Sequence, residues 1–480
     1  MRAEGAVSTM AAMARYSRFI FVMIDGATFE VLRDLVAAGE LPALARLAED
    51  GGCVKQAVTC FPSTTGPGYI PYFMGLFPGT ANVPGYRWLS RAHYNGKGSL
   101  WTRPGICSYN GREALSFDVD LPDRPTWFDY FGSSRSILSI LSKGCPPKHK
   151  LARRRKPLLY AFGHYLHRWH WADRVAAEAL VAAVRQGPEF IACAFNGVDG
   201  HSHGDHSLSP RTLDSYRAID RAVAEAREAL REKGWREETL WVIGSDHGHS
   251  ATHTHLDMAA IMEQMGFPCL SYPKLWRRKV KCAEMVSGNG MTHLYFRNGE
   301  DWSRGLNWEE LEVLGVPDSL VSREGIDFVA GRTAEGAVKL RTAGGEGTTR
   351  WRDGKCSYDF RGEDPLACGP FQGLDSVAVL EQTFDSPQPD ACMQLEQLFR
   401  AERSGDLFVS AKVGFDLRGR WEFPAHRSTH GALNQPQAYV PVIFSHPLKA
   451  DRFRTADVFP TVLRLLGKPL PEGLDGRALD

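Results

Sequence analysis

The feature that most constrains this fold is a repeat of continuous apolar runs that each end in an acidic residue or in a cluster of Asp and His. The runs and the polar residues that follow them are Phe19–Ile24 with Asp25, Phe190–Phe195 with Asp199 and His203, and Thr239–Gly244 with Asp246 and His247. Apolar runs without polar alternation predict strands buried on both faces of a parallel sheet. Because ligands bind at the carboxyl ends of such strands, the pattern predicts a functional site along one sheet edge.

Segments of helical spacing separate these strands, as in residues 29–36, 42–51 and 213–230. The alternation predicts an α/β fold, with a doubly wound, mostly parallel sheet flanked by helices. Between about Cys269 and Met393 the chain changes to Gly, Thr and Arg with short alternating segments, which is typical of an inserted α+β cap. We therefore expect a loose N-terminal extension (1–17), a catalytic α/β domain in two parts (18–268 and 394–480) and the cap (269–393). The apolar run Asp406–Ala411 is assigned to the final α/β part.

Composition excludes some classes of function. The chain has 480 residues with 57 Lys and Arg against 56 Asp and Glu, so its charge gives no reason to expect a nucleic-acid polymer as partner. Ten scattered cysteines without a C-x-x-C pair favour reduced thiols. Residues 1–18 hold no secretory apolar region, and no run approaches the roughly 18 to 20 apolar residues of a membrane helix. We expect a cytoplasmic protein, at most peripheral to a membrane.

A hydroxyl-rich turn, residues 60–69, lies between a strand-like and a helix-like segment. It places Ser63, Thr64 and Thr65 between prolines and glycines, which are residues of surface turns. A Ser or Thr hydroxyl attacks only when a base or a metal ion takes its proton. The turn therefore predicts a nucleophile loop, and its residue types leave open which hydroxyl attacks. The alternative is a hydroxyl that merely caps the following helix.

Metal-ligating residues occur at four places in the chain, all in loops after strand-like runs. They are Asp25, Asp199, His203, Asp246, His247 and His430. Imidazole with carboxylate is a zinc-type donor set, which manganese or iron also accept, and three protein ligands per ion leave a position open for substrate. Six ligands suffice for two divalent ions. Two ions could clamp both the attacking and the leaving oxygen of a displacement at phosphorus.

With these residues in this order, the chain resembles the alkaline phosphatase superfamily and, within it, the type I phosphodiesterase/nucleotide pyrophosphatase branch. The motifs that carry the resemblance are Asp25-Gly26, Phe61–Thr65, Asp199 with His203, Ser245–Gly248, His430-Gly431 and the closing segment Thr455–Gly476. The resemblance implies an alkaline phosphatase-like fold. It also implies a two-metal hydrolase of phosphoric esters, with phosphodiesters or pyrophosphates favoured.

The resemblance also implies individual roles. Thr65 would attack phosphorus and form a covalent intermediate. Asp25, Asp246 and His247 would hold the ion beside it, and the second ion would be held by Asp199, His203 and His430. The chain departs from the family at two positions, because Thr64 stands where a Lys usually precedes the nucleophile and Tyr86 where a phosphate-contacting Asn is expected. Asn82, Tyr86 and Arg87 are therefore the candidate substrate contacts, and an ordinary nucleotide leaving group is disfavoured.

Alternatives remain within and outside this class of enzyme. A phosphonate hydrolase, or a transferase that passes the phospho group to an alcohol, would use the same residues. A catalytically silent metal-binding scaffold would keep the ligands alone. The expected partner is a phosphorylated small molecule or a lipid-like phosphodiester.

Several further residues have a functional and a structural interpretation. The basic and aromatic stretch 148–171 is either a solvated loop or a contact to an anionic lipid surface. Cys60 precedes Pro62 as in a sulfatase motif, but Thr64 replaces the Arg of that motif, so Cys60 is predicted to be an ordinary buried thiol. The ligand loops contain five other histidines, His201, His206, His249, His253 and His255. Most of these five are expected outside the metal shell.

Overall fold

A computed structural model describes residues 15–94, 105–109, 111–272, 277, 279–419 and 425–479. Its strands, in chain order, are β1 Arg18–Ile24, β2 Lys55–Val58, β3 Arg87–Leu89, β4 Ile106–Ser108, β5 Ser134–Ile137, β6 Lys150–Leu151, β7 Phe190–Phe195, β8 Thr239–Gly244, β9 Ser250–His255, β10 Cys269–Ser271, β11 Cys282–Ser287, β12 Met291–Phe296, β13 Ile326–Arg332, β14 Val338–Arg341, β15 Gly345–Arg352, β16 Lys355–Gly362, β17 Phe371–Leu374, β18 Leu407–Ala411, β19 Gly414–Asp416, β20 Ser428–Thr429, β21 Tyr439–Phe444 and β22 Arg452–Arg454.

The helices, in chain order, are α1 Phe29–Ala37, α2 Pro42–Gly51, α3 Tyr69–Met74, α4 Phe117–Asp120, α5 Lys156–Leu166, α6 Trp169–Gln186, α7 Gly197–Asp205, α8 Pro210–Glu232, α9 Met258–Gln264, α10 Trp308–Val313, α11 Val316–Val321, α12 Ser376–Thr383, α13 Ala391–Leu398, α14 Gln435–Ala438 and α15 Val458–Leu465. The predicted helices at 29–36, 42–51 and 213–230 correspond to α1, α2 and α8. Short 3₁₀ turns occur at Gly111–Ser116, Trp127–Tyr130, Pro147–His149 and Thr455–Asp457.

The first sheet carries the predicted apolar runs. Within the described residues its order is β22-β2-β21-β8-β1-β7-β5-β6. β1 is parallel to both of its neighbours, and only β21 runs antiparallel to the strands beside it. All residues of β7 and β8 are buried. The prediction of a doubly wound, mostly parallel α/β sheet is thus confirmed.

Helices cover both faces of this sheet, which explains why the central strands are apolar throughout. On one face, Phe19 and Phe21 of β1 belong to the same core as α3 and α15. On the other face, Ile20 and Val22 pack in a core with α1, α2, α6 and α8. Successive side chains of a strand point to opposite faces, so an apolar residue is needed at every position.

A second sheet is mostly antiparallel. Within the described residues its order is β10-β11-β12-β18-β13-β14-β15-β16-β17. Most of it comes from the region predicted as an inserted cap. The assignment of Asp406–Ala411 to the resumed α/β part was wrong, because β18 lies between β12 and β13 and is antiparallel to both. A buried apolar run fits either sheet, and its sequence does not specify its partner strands. The domain bounds at 268/269 and 393/394 stay a prediction.

Three smaller expectations concern the ends and the thiols. All ten cysteines carry free thiols, as predicted. Of the expected N-terminal extension, residues 1–14 lie outside the described residues, whereas Tyr16 is buried and hydrogen-bonds His446 Nδ1 through its hydroxyl at 3.0 Å. None of the helices in the described ranges is long and apolar enough to cross a bilayer. A cytoplasmic location stays a prediction.

Candidate active site

Three neighbouring strands bring the predicted acidic residues to one edge of the first sheet. β1 lies between β7 and β8 and is parallel to both, in register to the strand ends. Asp25 directly follows β1, and Asp246 follows β8 two residues after the strand ends. Asp199 lies in the first turn of α7, which begins just after β7. His203 is one helical turn further along α7, so it faces the same way as Asp199.

One group of donor atoms surrounds the Thr65 hydroxyl. Thr65 Oγ1 lies 3.2 Å from Asp25 Oδ1 and 3.2 Å from His247 Nε2. His247 Nε2 is also 3.5 Å from Asp25 Oδ1 and 3.7 Å from Asp246 Oδ2. One donor atom from each of Asp25, Asp246 and His247 lies within 4.8 Å of the other two. These three buried residues could hold a cation in contact with Thr65.

A second group lies beside the first and is formed by Asp199, His203 and His430. Its donor atoms also lie within 4.8 Å of one another. Asp199 Oδ1 is 3.3 Å from His203 Nε2 and 3.7 Å from His430 Nε2. The His430 ring stacks on the His247 ring at a centroid distance of 3.7 Å, which joins the two groups. All six predicted ligands are therefore brought together.

The three histidines present the same nitrogen to these groups. Each Nδ1 lies at hydrogen-bonding distance from a backbone carbonyl: His203 from Ser428 at 2.9 Å, His430 from Ser63 at 3.1 Å and His247 from Gly248 at 3.1 Å. A carbonyl only accepts, so Nδ1 donates and Nε2 keeps its lone pair toward the cluster. The Nε2 atoms of His430 and His203 are 3.2 Å apart, and a cation between them would accept both lone pairs.

The carboxylates test whether divalent cations fit. Asp246 Oδ2 is buried and has no hydrogen-bond partner among the described residues. Burial and the charge of Asp25 raise the pKa of Asp246 well above its usual value, and burial with the charge of Asp199 raises the pKa of Asp25. Buried carboxylates so close together are costly unless positive charge compensates them. Two divalent cations would supply that charge, and the donor set fits zinc.

The sequence model of the family described as type I phosphodiesterase / nucleotide pyrophosphatase matches residues 19–312. The chain belongs to this family. It is thereby a member of the alkaline phosphatase superfamily, and its reaction class is metal-dependent hydrolysis of phosphoric esters. No functionally curated protein matches the chain.

Solved structures share the fold over nearly the whole length. Phosphonoacetate hydrolase from Sinorhizobium meliloti 1021, in complex with phosphonoacetate, is 15% identical with a TM-score of 0.58, and the match covers 95% of this chain and 96% of that one. Murine ectonucleotide pyrophosphatase / phosphodiesterase 5 is 10% identical with a TM-score of 0.59, covering 95% and 97%. At such identities the likeness concerns the fold alone.

In this family member, the three hydroxyls of the nucleophile loop have different surroundings. Ser63 Oγ donates to the Ala432 carbonyl at 2.7 Å and accepts from Gly431 N–H at 3.1 Å, so it ties the loop to the His430 segment. Thr64 is buried, with 1% of its surface exposed. Among the three, the hydrogen bonds found in the described structure place only the Thr65 hydroxyl against Asp25 and His247.

The nucleophile loop is held on both sides. Phe61 N–H donates to Gln394 Oε1 at 2.9 Å, and Gln397 Nε2 donates to the Phe61 carbonyl at 2.7 Å, so α13 fixes the start of the loop. At its other end, a Cβ on Gly68 would lie 2.7 Å from the Asp246 carbonyl oxygen. Only glycine allows this close approach. Cys60 is buried, and burial raises the pKa of its thiol, as expected for an inert cysteine.

The turn between β11 and β12 contacts His430. Gly290 N–H donates to the His430 carbonyl at 2.6 Å, and His430 N–H donates to the Gly288 carbonyl at 3.3 Å. Asn289 forms a β-bridge with His430. A Cβ on Gly288, which has a φ of +70°, would lie 2.7 Å from His430 Nδ1. The second sheet thus takes part in positioning a candidate ligand.

Two functional neighbours are missing from the sequence-based set. His249, expected outside the metal shell, places Nε2 2.9 Å from Asp199 Oδ1 and Nδ1 2.8 Å from Ser428 Oγ. Burial lowers the pKa of His249 to about 4. Although burial acts to raise the pKa of Asp199, His203 and His249 hold it well below the usual value. His249 therefore helps to keep Asp199 ionised.

Asn196 is the second missing residue. It is buried at the end of β7, and its Nδ2 donates to Asp25 Oδ2 at 2.7 Å. Its Oδ1 accepts from the Tyr160 hydroxyl at 2.9 Å. The signal was present in the sequence, because Asn196 follows an apolar strand just as Asp25 does. A single amide in a loop nonetheless has no ligand spacing that distinguishes it from a capping residue.

The three predicted substrate contacts are Asn82, Tyr86 and Arg87, and their surroundings do not test a role in substrate binding. Asn82 holds Arg403, through its carbonyl to Nη1 at 3.0 Å and through Oδ1 to the backbone N–H at 3.3 Å. The Tyr86 hydroxyl donates to the Tyr109 carbonyl at 2.9 Å. Arg87 is buried, and its guanidinium lies 4.5 Å from the centre of the Tyr272 ring. Their contact with substrate stays a prediction.

Proposed function

We propose that this chain hydrolyses phosphodiesters or pyrophosphates through a covalent intermediate on Thr65, with two zinc ions. The observation that carries the proposal is the position of Thr65 Oγ1, 3.2 Å from both Asp25 Oδ1 and His247 Nε2. A hydroxyl within a ligand set can contact the same cation as its neighbours. That contact is what a weak alcohol nucleophile requires at neutral pH.

Six residues hold the ions in this proposal. Asp25, Asp246 and His247 bind one ion beside Thr65, and the other ion is bound by Asp199, His203 and His430. When bound, the ions lower the pKa of the attacking hydroxyl and of water and neutralise charge on the phosphoryl oxygens. The mixed carboxylate and imidazole donors favour zinc, and manganese or iron also accept them.

The protein residues act in two displacements. Thr65 Oγ1 loses its proton to solvent and attacks phosphorus, the bond from phosphorus to the leaving oxygen breaks, and that oxygen takes a proton from water. A water molecule then attacks the phosphorus of the Thr65 ester, and Thr65 Oγ1 recovers a proton as it leaves. The Nδ1 bonds of His203, His247 and His430 to carbonyls keep their Nε2 atoms oriented throughout.

The substrate class rests on the family, whose description names phosphodiesters and nucleotide pyrophosphates. Thr64 and Tyr86, at positions where a Lys and an Asn are expected, disfavour an ordinary nucleotide leaving group. A phosphonate is the second candidate substrate, because the phosphonoacetate hydrolase of Sinorhizobium meliloti shares the fold with a TM-score of 0.58. The proposed partner is accordingly a small phosphorylated molecule.

The experiment replaces Thr65 by Val, which keeps the shape and removes the hydroxyl. Turnover of a panel of p-nitrophenyl phosphodiester, phosphonate and phosphomonoester substrates is measured beside bound metal. We expect Thr65→Val to lose at least about 10³-fold in kcat while retaining metal. Thr64→Val is the matched control, since it removes the neighbouring buried hydroxyl in the same loop.

Three results would contradict the proposal. Turnover that persists in Thr65→Val would remove this hydroxyl from the mechanism. Equal losses in Thr65→Val and Thr64→Val would indicate a general disturbance of the loop. A wild-type protein that binds two ions and cleaves no member of the panel would favour the silent scaffold.

A further inference from the structure

The surface around α5 combines exposed apolar side chains with a concentration of positive charge. Residues 148–171 contain seven Lys and Arg and no Asp or Glu, although the whole chain is nearly balanced at 57 against 56. Two of the seven are engaged in the fold: Lys150 pairs with Asp118, and Lys156 is buried against the Leu138 and Ser139 carbonyls. The other five are Lys148, Arg153, Arg154, Arg155 and Arg168, all exposed.

None of these five cations has an ion-pair partner among the described residues. Three of them directly precede α5, where the helix dipole already places partial positive charge. Arg155 is the residue before the first helical position, and the first turn of α5 contains no acidic residue. This arrangement is unfavourable for an isolated helix. An anionic surface opposite these residues would relieve it.

The outward face of α5 is apolar. Leu158, Phe162, Tyr165 and Leu166 recur at helical spacing and form one stripe along the helix. Leu158 is 60% exposed, Tyr165 64% and Leu166 56%. Trp171, 40% exposed, extends the stripe, because its ring packs against the Phe162 ring at a centroid distance of 5.5 Å. Scattered exposed apolar residues are ordinary, whereas a contiguous stripe marks a contact surface.

The inward face of the same helix reaches the candidate active site. Lys156, Tyr160 and Gly163 recur at the complementary spacing and point into the protein. The Tyr160 hydroxyl donates to Asn196, whose amide donates to Asp25. Only one helix thickness therefore separates the apolar stripe from the residues around Asp25.

We propose that the stripe Leu158, Phe162, Tyr165, Leu166 and Trp171, together with the five exposed cations of residues 148–171, docks on the surface of an anionic lipid bilayer. The apolar side chains enter the interfacial region, and the cations attract acidic headgroups. A nucleic acid would satisfy the cations but offers no hydrocarbon to the stripe. Another protein would need a complementary acidic and apolar face, whereas a bilayer provides both properties everywhere. The docking itself does not depend on the proposed function.

The test is co-sedimentation of the full chain with vesicles of phosphatidylcholine alone and of phosphatidylcholine mixed with phosphatidylserine. We expect sedimentation with the mixed vesicles only, weakened by added salt. The double variant Leu158→Ser with Tyr165→Ser should bind the mixed vesicles at least about tenfold more weakly. Arg153→Ser with Arg154→Ser should also lose about tenfold or more, because each cation near an anionic surface contributes separately.

The matched control is Val313→Ser with Leu314→Ser, which removes two apolar side chains, 89% and 50% exposed, at the end of α10. It should bind mixed vesicles like the wild type. Thermal unfolding of all variants checks that they fold. Thr65→Val should sediment like the wild type, so a catalytic failure and a docking failure are distinguishable.

Several results would overturn the docking proposal. Equal partition onto both kinds of vesicle, or no partition, would do so. Unchanged binding in the folded stripe variant would show that another surface is responsible. Tighter binding to duplex DNA or RNA than to mixed vesicles, or self-association that the stripe variant abolishes, would assign the surface to a different partner.

Discussion

Asn196 provides a sharp test of the proposed metal centre, because it contacts one of the proposed ligands. Its buried amide donates a 2.7 Å hydrogen bond to Asp25 Oδ2, while Asp25 Oδ1 faces Thr65. Leu has nearly the same size as Asn but cannot donate. Asn196→Leu therefore removes the donor and leaves the proposed ligand Asp25 in place. Because burial and Asp199 already raise the pKa of Asp25, losing this bond raises it further, and protons compete better with metal.

The size of the effect follows from two independent considerations. A hydrogen bond to a charged group contributes about 1.5 to 3 kcal/mol. Removing a partner that orients a metal ligand weakens metal affinity by about 10 to 100-fold, which corresponds to about 1.4 to 2.7 kcal/mol. The two ranges agree. The concentration of zinc needed for half-maximal activity of Asn196→Leu should thus rise by about 10 to 100-fold, with kcat at saturating zinc largely retained.

The assay is turnover of a p-nitrophenyl phosphodiester by metal-free protein titrated with buffered zinc. Tyr160→Phe is the matched control, since it removes the hydroxyl that supports Asn196 Oδ1 but keeps the bond from Asn196 to Asp25. Its shift should stay below about tenfold. An activation curve of Asn196→Leu that coincides with the wild type would refute the reasoning, as would an equal shift in Tyr160→Phe.

Two further predictions concern stability. Burial raises the pKa of Asp173 to about 7, so between about pH 4 and about pH 7 the folded state holds a proton that the unfolded chain has lost. The stability of the wild type relative to Asp173→Asn, measured by urea unfolding, should therefore fall by about 4 kcal/mol from about pH 4 to about pH 7. A stability difference that does not vary with pH would contradict this. Gly68→Ala should lower the free energy of unfolding by about 1 to 3 kcal/mol and impair turnover, because its Cβ would lie 2.7 Å from the Asp246 carbonyl oxygen. Gly132→Ala is the control, since its Cβ would have no contact closer than 3.6 Å. Equal losses of stability in the two variants would argue against a specific clash.

The part of the site carried by adjacent parallel strands could be predicted from sequence. Asp25, Asp199 and Asp246 each follow an apolar run, and β7, β1 and β8 are neighbours in the sheet. Parallel strands bring their carboxyl ends to one edge, so local patterns were enough to bring these carboxylates together. No rule of this kind predicts where the loops that carry His430 and Thr65 lie. His430 entered the ligand set through its residue type, and the choice of Thr65 among the three hydroxyls depended on resemblance to a family.

What could not be predicted depends on pairing across long distances. The apolar run of β18 has the same pattern as a strand of the first sheet, yet it joins the second sheet between β12 and β13. His249 resembles its neighbours in a histidine-rich segment, and only the fold sets it 2.9 Å from Asp199. The role of such a side chain depends on which loops lie next to each other in the folded protein. The local spacing of residues in one sequence does not show which loops will be neighbours.

The contacts between the nucleophile loop and the second sheet layer limit how such an enzyme can be re-engineered. Gln394 and Gln397 hold the backbone of Phe61, and the turn Gly288–Gly290 holds that of His430. Exchanging this layer for that of a relative would remove these supports of the nucleophile loop and of His430. The layer is not an interchangeable module. New specificity would have to be built by point substitutions that leave these backbone contacts intact.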